Sequence, residues 1–167
     1  MQSSGQTALP RAIPITAAIY LLALSLWLGG LVVLGAIVAP TVFRIVPAPS
    51  SADAMTVVFR RFDVIAISAS VVALVSEAIF ATRGPKPKKL DLVRALAALV
   101  ASAIAVIEGV WLSPAIQSLH RDGAVRGFGP DGNELERLHR LAETLAKGEL
   151  LLLLVILALL VAKLARR

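Results

Sequence analysis

Charge is missing from long tracts of this chain. From Arg11 to Arg44 no charged residue intervenes; from Asp63 to Arg83 only Glu77 does, and from Arg94 to His120 only Glu108. About 20 mainly apolar residues cross a bilayer as a helix, so each tract is long enough to span. A fourth apolar run, Leu150 to Ala162, is followed by Lys163. The pattern predicts an all-α integral membrane protein, a four-transmembrane-helix bundle forming a single domain over 1–167. The expected helices cover about 13–39, 63–82, 90–113 and 134–165.

Breakers set these limits. Pro14 suits a first helical turn, while Pro40, Pro47 and Pro49 are expected to end helix one and break up the connection. Met55 to Phe62 reads as an interfacial turn or two before helix two. Gly84, Pro85 and Pro87 mark a tight basic loop, Pro114 stops helix three, and Asn133 is a candidate cap for helix four. The first apolar run exceeds a signal-peptide core and is read as a retained helix.

Helix four does not fit simply. Thirteen uncharged residues rise only about 20 Å against about 30 Å of hydrocarbon. A full span must take in Lys147 and Glu149, and a helix extending beyond the bilayer is the other reading. Glu143 and Lys147 are four apart, in the order that lets them pair.

Composition agrees with the pattern. The 167 residues are 57% hydrophobic and 17% charged, with mean hydropathy +0.82; soluble domains run near 45–50% apolar and 25% charged. This excludes disorder, nucleic-acid binding and a secreted disulfide scaffold. With no cysteine there is no disulfide, thiolate metal site or cysteine nucleophile. The net charge of +6 fits Lys and Arg at helix ends facing anionic lipid. Nine basic residues, Arg11, Arg83, Lys86, Lys88, Lys89, Arg94, Lys163, Arg166 and Arg167, fall at the helix ends and loops on the side of the termini, against eight on the other. The density in the short second loop puts both termini in the cytoplasm of a cell inner membrane.

Small residues predict the packing. Ala97, Ala101, Ala105 and Gly109 recur every four residues on helix three, the spacing that lets membrane helices approach closely. Ala66, Ser70, Ala73, Glu77 and Ala81 make a similar face on helix two, and helix one offers Gly29 and Gly30 beside Ser25.

The intramembrane polar candidates are Glu77, Glu108, Lys147 and Glu149. Such groups mark ion or proton paths, bind a basic partner, or help helices associate as hydrogen-bonded acids. Glu108 and Glu149 fall toward the outer side and Glu77 toward the inner. His120 and His139 flank the outer loop and are weak candidates for a metal or haem; no cofactor is expected. No phosphate loop, nucleophile elbow, zinc motif or dinucleotide fingerprint occurs, so no enzyme is expected.

Trp27, Leu28, Gly29 and Gly30, then Ala39, Pro40 and Phe43, resemble the first helix of the bacterial membrane family called domain of unknown function 4149. That family is related to transmembrane protein 205-like proteins. Phe59 and Phe62 resemble its aromatic pair, Ser113, Pro114 and Ile116 its helix-three exit, and Leu138 with His139 its helix-four entry. The resemblance implies a four-helix membrane protein with no established chemistry, and Glu149 stands where the family often has Asn. Helix one also has a more distant similarity to copper-resistance-type membrane domains, whose bundles carry histidines that these spans lack. Two functions follow as expectations. One is an accessory or scaffold subunit packing in or beside a larger membrane complex, with the lipid bilayer and other membrane subunits as partners. The other is a small transporter or ion- or proton-handling protein using the intramembrane carboxylates.

Overall fold

In the computed structural model, which describes residues 12–84 and 86–165, these residues are helical apart from short connections. Four helices are long and apolar enough to cross a membrane: α1 (Ile13–Ile45), α2 (Ser50–Arg83), α3 (Lys89–Arg121) and α4 (Gly129–Ala165). They run up and down in turn. Neighbours pack in a ring, α1 on α2, α2 on α3, α3 on α4 and α4 back on α1. The tight connection between α2 and α3 defines a hairpin end, and the α3–α4 loop defines a loop end. The Met1–Thr7 tail and Arg11, Arg166 and Arg167, on which the expected orientation partly rests, lie outside the described residues.

Each helix is longer than its apolar tract. Pro40 and Pro114 do not stop α1 and α3 as expected. Each follows a five-residue π turn, Leu34–Val38 before Pro40 and Glu108–Leu112 before Pro114, and the α-helix resumes as Ala39–Ile45 and Ser113–Arg121. A proline removes one N–H and crowds the carbonyl four residues back. The wider π turn loosens the ladder there, so the helix continues. Met55–Phe62 is no separate turn but part of one 34-residue helix from Ser50. α4 begins at Gly129, four residues ahead of the expected Asn133 cap. The α3–α4 loop turns on Gly123, whose positive φ of 80° follows the last turn of α3, a conformation glycine adopts without a Cβ penalty.

Small residues form the seams on α2 and α3. Ala66, Ser70, Ala73 and Glu77 are buried on α2, and Ala97, Ala101 and Ala105 on α3. A Cβ on Gly109 would lie 2.8 Å from Ile67 Cδ1 and 3.1 Å from Asp63 Cβ, so glycine sets how near α2 and α3 come. Helix one departs from expectation. It buries Ile13, Ala17, Tyr20, Leu24 and Trp27 instead of the Ser25–Gly29 face. Gly30 does pack, against the Phe62 ring, but Gly29 has nothing within 4 Å of its Cβ position and faces outward with Ser25.

The outer surface resolves the helix-four problem. On α2, exposed charge is absent between Arg61 and Arg83, and on α4 between Lys147 and Lys163, because Glu77 and Glu149 point inward. At 1.5 Å per residue this band is about 33 Å tall on α2 and about 24 Å on α4, bracketing a hydrocarbon core of about 30 Å. Lys147 lies at its edge on an exposed face, 3.8 Å from Glu143. It is a surface ion-pair member and not an interior group. The loop-end third of α2, α3 and α4 continues past the band.

Candidate functional site

Polar side chains enter the bundle at two levels. Fourteen residues separate Glu77 from Asp63 on α2, Arg94 from Glu108 on α3 and Lys163 from Glu149 on α4. That interval is two heptads, which returns each helix to nearly the same face in a left-handed bundle. The two levels lie about 21 Å apart along the axis. Midway, Ser70, Ala101 and Ile156 make a compact buried layer without charge, in which the Ser70 hydroxyl donates to the Ile67 carbonyl at 2.8 Å.

The level near the hairpin end is an ionic network. Arg94, 1% exposed, donates from Nε to Glu77 Oε1 at 2.6 Å and from Nη2 to Glu77 Oε2 at 2.9 Å. Its Nη1 donates to Asp91 Oδ1 at 3.0 Å, and Lys163 Nζ donates to the same oxygen at 2.6 Å. Asp91 also accepts the Lys88 backbone N–H at 3.1 Å, so one carboxylate caps α3 and joins it to α4. Arg94 and Lys163 each sit 5.4 Å from the centre of the Phe80 ring, within cation–π range. The Tyr20 hydroxyl lies beside Glu77. A buried charge is tolerable only when paired, and a bidentate guanidinium–carboxylate pair meets that condition. Glu77 is therefore a cross-helix clamp and not a free intramembrane acid. Sequence reasoning assigned Arg94 to a basic helix end and missed the pair. The available signal was distance from the turn: Glu77 and Arg94 lie six and five residues from the helix ends at Arg83 and Lys89.

The second level is acidic and lacks such pairing. Asp63 comes from α2, Glu108 from the π turn of α3, Glu149 from α4 and Trp27 from α1. Glu149, 1% exposed, has no hydrogen-bond partner at either carboxylate oxygen. Asp63 Oδ2, Glu108 Oε1 and Trp27 Nε1 are also buried without a partner. The Trp27 indole faces the Glu149 carboxylate, and the Ser113 hydroxyl lies beside Asp63. The nearest cation to Asp63 is Arg60, whose Nη1 is engaged by Gln117 Oε1 at 2.8 Å. An unpaired buried polar atom costs roughly 1–3 kcal/mol, so four carboxylate oxygens open in one layer mark a place suited to a positively charged or hydrogen-bonding ligand.

Glu108 and Glu149, expected only to lie toward the outer side, face each other, and Asp63 and Trp27 join them. Both were legible but put to other use, Asp63 as the edge of an apolar tract and Trp27 as part of a motif. His120 and His139 also meet, ring centroids 5.7 Å apart in an edge-to-face arrangement. Among the described residues no group of three or more His, Cys, Asp or Glu side chains is arranged to hold a metal ion.

A family model described as Domain of unknown function (DUF4149) matches residues 22–124. That stretch holds Trp27 on α1 and both levels on α2 and α3, while Tyr20, Glu149 and Lys163 lie outside it. No curated protein and no solved structure matches the chain.

Proposed function

The chain belongs to the domain of unknown function 4149 family, and from that premise we propose that it is a small multi-pass membrane protein that handles protons or small cations at the acid level of its bundle. One observation carries this reading. Asp63, Glu108 and Glu149, from three helices, keep buried carboxylate oxygens unpartnered where the apolar band meets the loop-end third. Ionisable groups held at such depth without a counter-ion are costly for stability and are found where ions or protons pass. The test is flux in proteoliposomes under an imposed pH or cation gradient. Glu108→Gln and Glu149→Gln, which keep shape and remove the acid, should each abolish it. Flux equal to that of the unsubstituted protein removes the reading.

A second reading, an accessory subunit of a membrane complex, is favoured by the outward face of α1. Ser25 and Gly29 are exposed there, four residues apart, in the pattern that accepts another helix. Purification in mild detergent at native expression should then bring down a membrane partner, and a lone monomer would contradict it. Under either reading the dense Arg83, Lys86, Lys88 and Lys89 cluster supports a hairpin end in the cytoplasm of a cell inner membrane.

A further inference from the structure

We infer that the ligand of the acid level is the proton, and that it arrives from the loop end along a ladder of polar contacts between α2 and the last turns of α3. This rests on the reading of the acid level as an ion-handling site. Three rungs connect the helices: Asp53 faces His120, Arg60 donates to Gln117 at 2.8 Å, and Ser113 lies beside Asp63. The helices are antiparallel, so the rungs descend together, 53, 60, 63 on one and 120, 117, 113 on the other. The steps rise about 4.5 and 6 Å on α3 and about 10.5 and 4.5 Å on α2, so the path follows α3 from the exposed Arg60–Gln117 rung inward to Ser113.

At the head of the ladder His120 stands edge-on to His139. His139 Nδ1 is held by the Leu135 carbonyl at 2.9 Å, which leaves Nε2 for exchange, and Glu136 approaches from the same helix. Histidine is the side chain suited to collecting protons near neutral pH. Arg60 holds Gln117 in place through its Nη1 donor. At the foot the acids interact in series. Glu108 faces Asp63, and Glu149 faces Glu108 first and Asp63 more weakly. A proton delivered to this row converts one carboxylate to a carboxylic acid, the new O–H bond forming as the donor's bond breaks, with no change of oxidation state, and it relieves the repulsion among the facing acids. A divalent cation instead needs several oxygens converging at about 2.0–2.6 Å, and the described residues offer no such group. The sign that this row is a site and not a chance cluster is Trp27. It is fully buried and turns its Nε1–H toward the Glu149 carboxylate at the end of the row, a donor aimed into the acid level.

The experiment uses the full chain in phosphatidylcholine–phosphatidylglycerol liposomes subjected to a pH jump. A pH-sensitive dye follows proton uptake, and the infrared C=O band of protonated carboxyl groups follows its destination. Gln117→Leu should slow uptake at least tenfold while the final carboxyl amplitude stays the same, and Gln117→Glu, which keeps a partner for Arg60, should restore the rate. Glu134→Gln on the exposed face should change nothing. An unaltered rate in Gln117→Leu overturns the ladder, as does a lost amplitude, which would make Gln117 merely structural. Uptake of sodium in place of protons, abolished by Glu149→Gln, overturns the proton assignment and leaves the ion-handling function standing. If Glu149→Gln changes neither ion's uptake, the function itself falls.

Discussion

Replacing Glu77 with Ala removes both carboxylate contacts of Arg94, at 2.6 and 2.9 Å, and leaves a guanidinium that is 1% exposed. Breaking a buried pair by deleting one partner costs about 3–5 kcal/mol, because the remaining charge is uncompensated. Asp91 retains one contact to Arg94, which places Glu77→Ala at the lower end, about 3 kcal/mol. The double variant Glu77→Leu with Arg94→Leu has no stranded charge and should fall within about 1 kcal/mol of the unsubstituted protein, since apolar replacement of a buried pair is commonly neutral or stabilising. The difference is the coupling energy of a double-mutant cycle, read from reversible unfolding in mixed micelles with helix content as signal. As a comparison, Lys147→Ala breaks only the exposed 3.8 Å pair with Glu143 and should stay within about 0.5 kcal/mol. A Glu77→Ala cost below 1 kcal/mol, or a double variant no better than the single, would refute the clamp.

Gly30→Ala should destabilise by about 1–3 kcal/mol through overpacking against Phe62, and Phe62→Leu should relieve it; Gly29→Ala, facing open space, should be silent in the same unfolding assay. Gly109→Val drives its branches toward Ile67 and Asp63 and should part α2 from α3, seen as lost flux together with lost stability; retention of both would discount the close approach. The chain has no cysteine, so single thiols can map the band: Arg61→Cys and Lys147→Cys should react with a membrane-impermeant maleimide, whereas Val71→Cys and Val155→Cys, exposed within the band, should not. Lys86→Cys should react from the opposite side of an oriented vesicle.

The spans were legible because a charge-free tract is a property of residues near one another in the chain. Their ends were less so. Pro40 and Pro114 read as breaks, since nothing local announces that a π turn will accommodate them. The seams on α2 and α3 followed from four-residue spacing, but which side of α1 faces inward depended on Phe62, 32 residues beyond Gly30. Glu108 and Glu149 stood out as lone charges in apolar surroundings. Glu77 stood out equally, yet its role was the opposite, because Arg94 lies across a hairpin and appears in the sequence as one more basic residue near a loop. Asp63 was hidden by its position at the limit of a tract, where an acid normally meets water.

The equal interval between the two polar levels restricts how such a chain can vary in length. One residue inserted between Asp63 and Glu77 would turn one of those side chains by about 100° relative to the other and take it off the interior, and the same holds between Arg94 and Glu108 and between Glu149 and Lys163. The three helices would have to change together, by whole heptads, to keep both levels. Beyond the acid level the contacts of Arg60 with Gln117 and of His120 with His139 hold the loop-end helices in register, and the α3–α4 loop is where length is free to vary. Insertions and deletions among relatives should therefore collect in that loop and avoid the fourteen-residue intervals, so that the bundle interior works as a ruler.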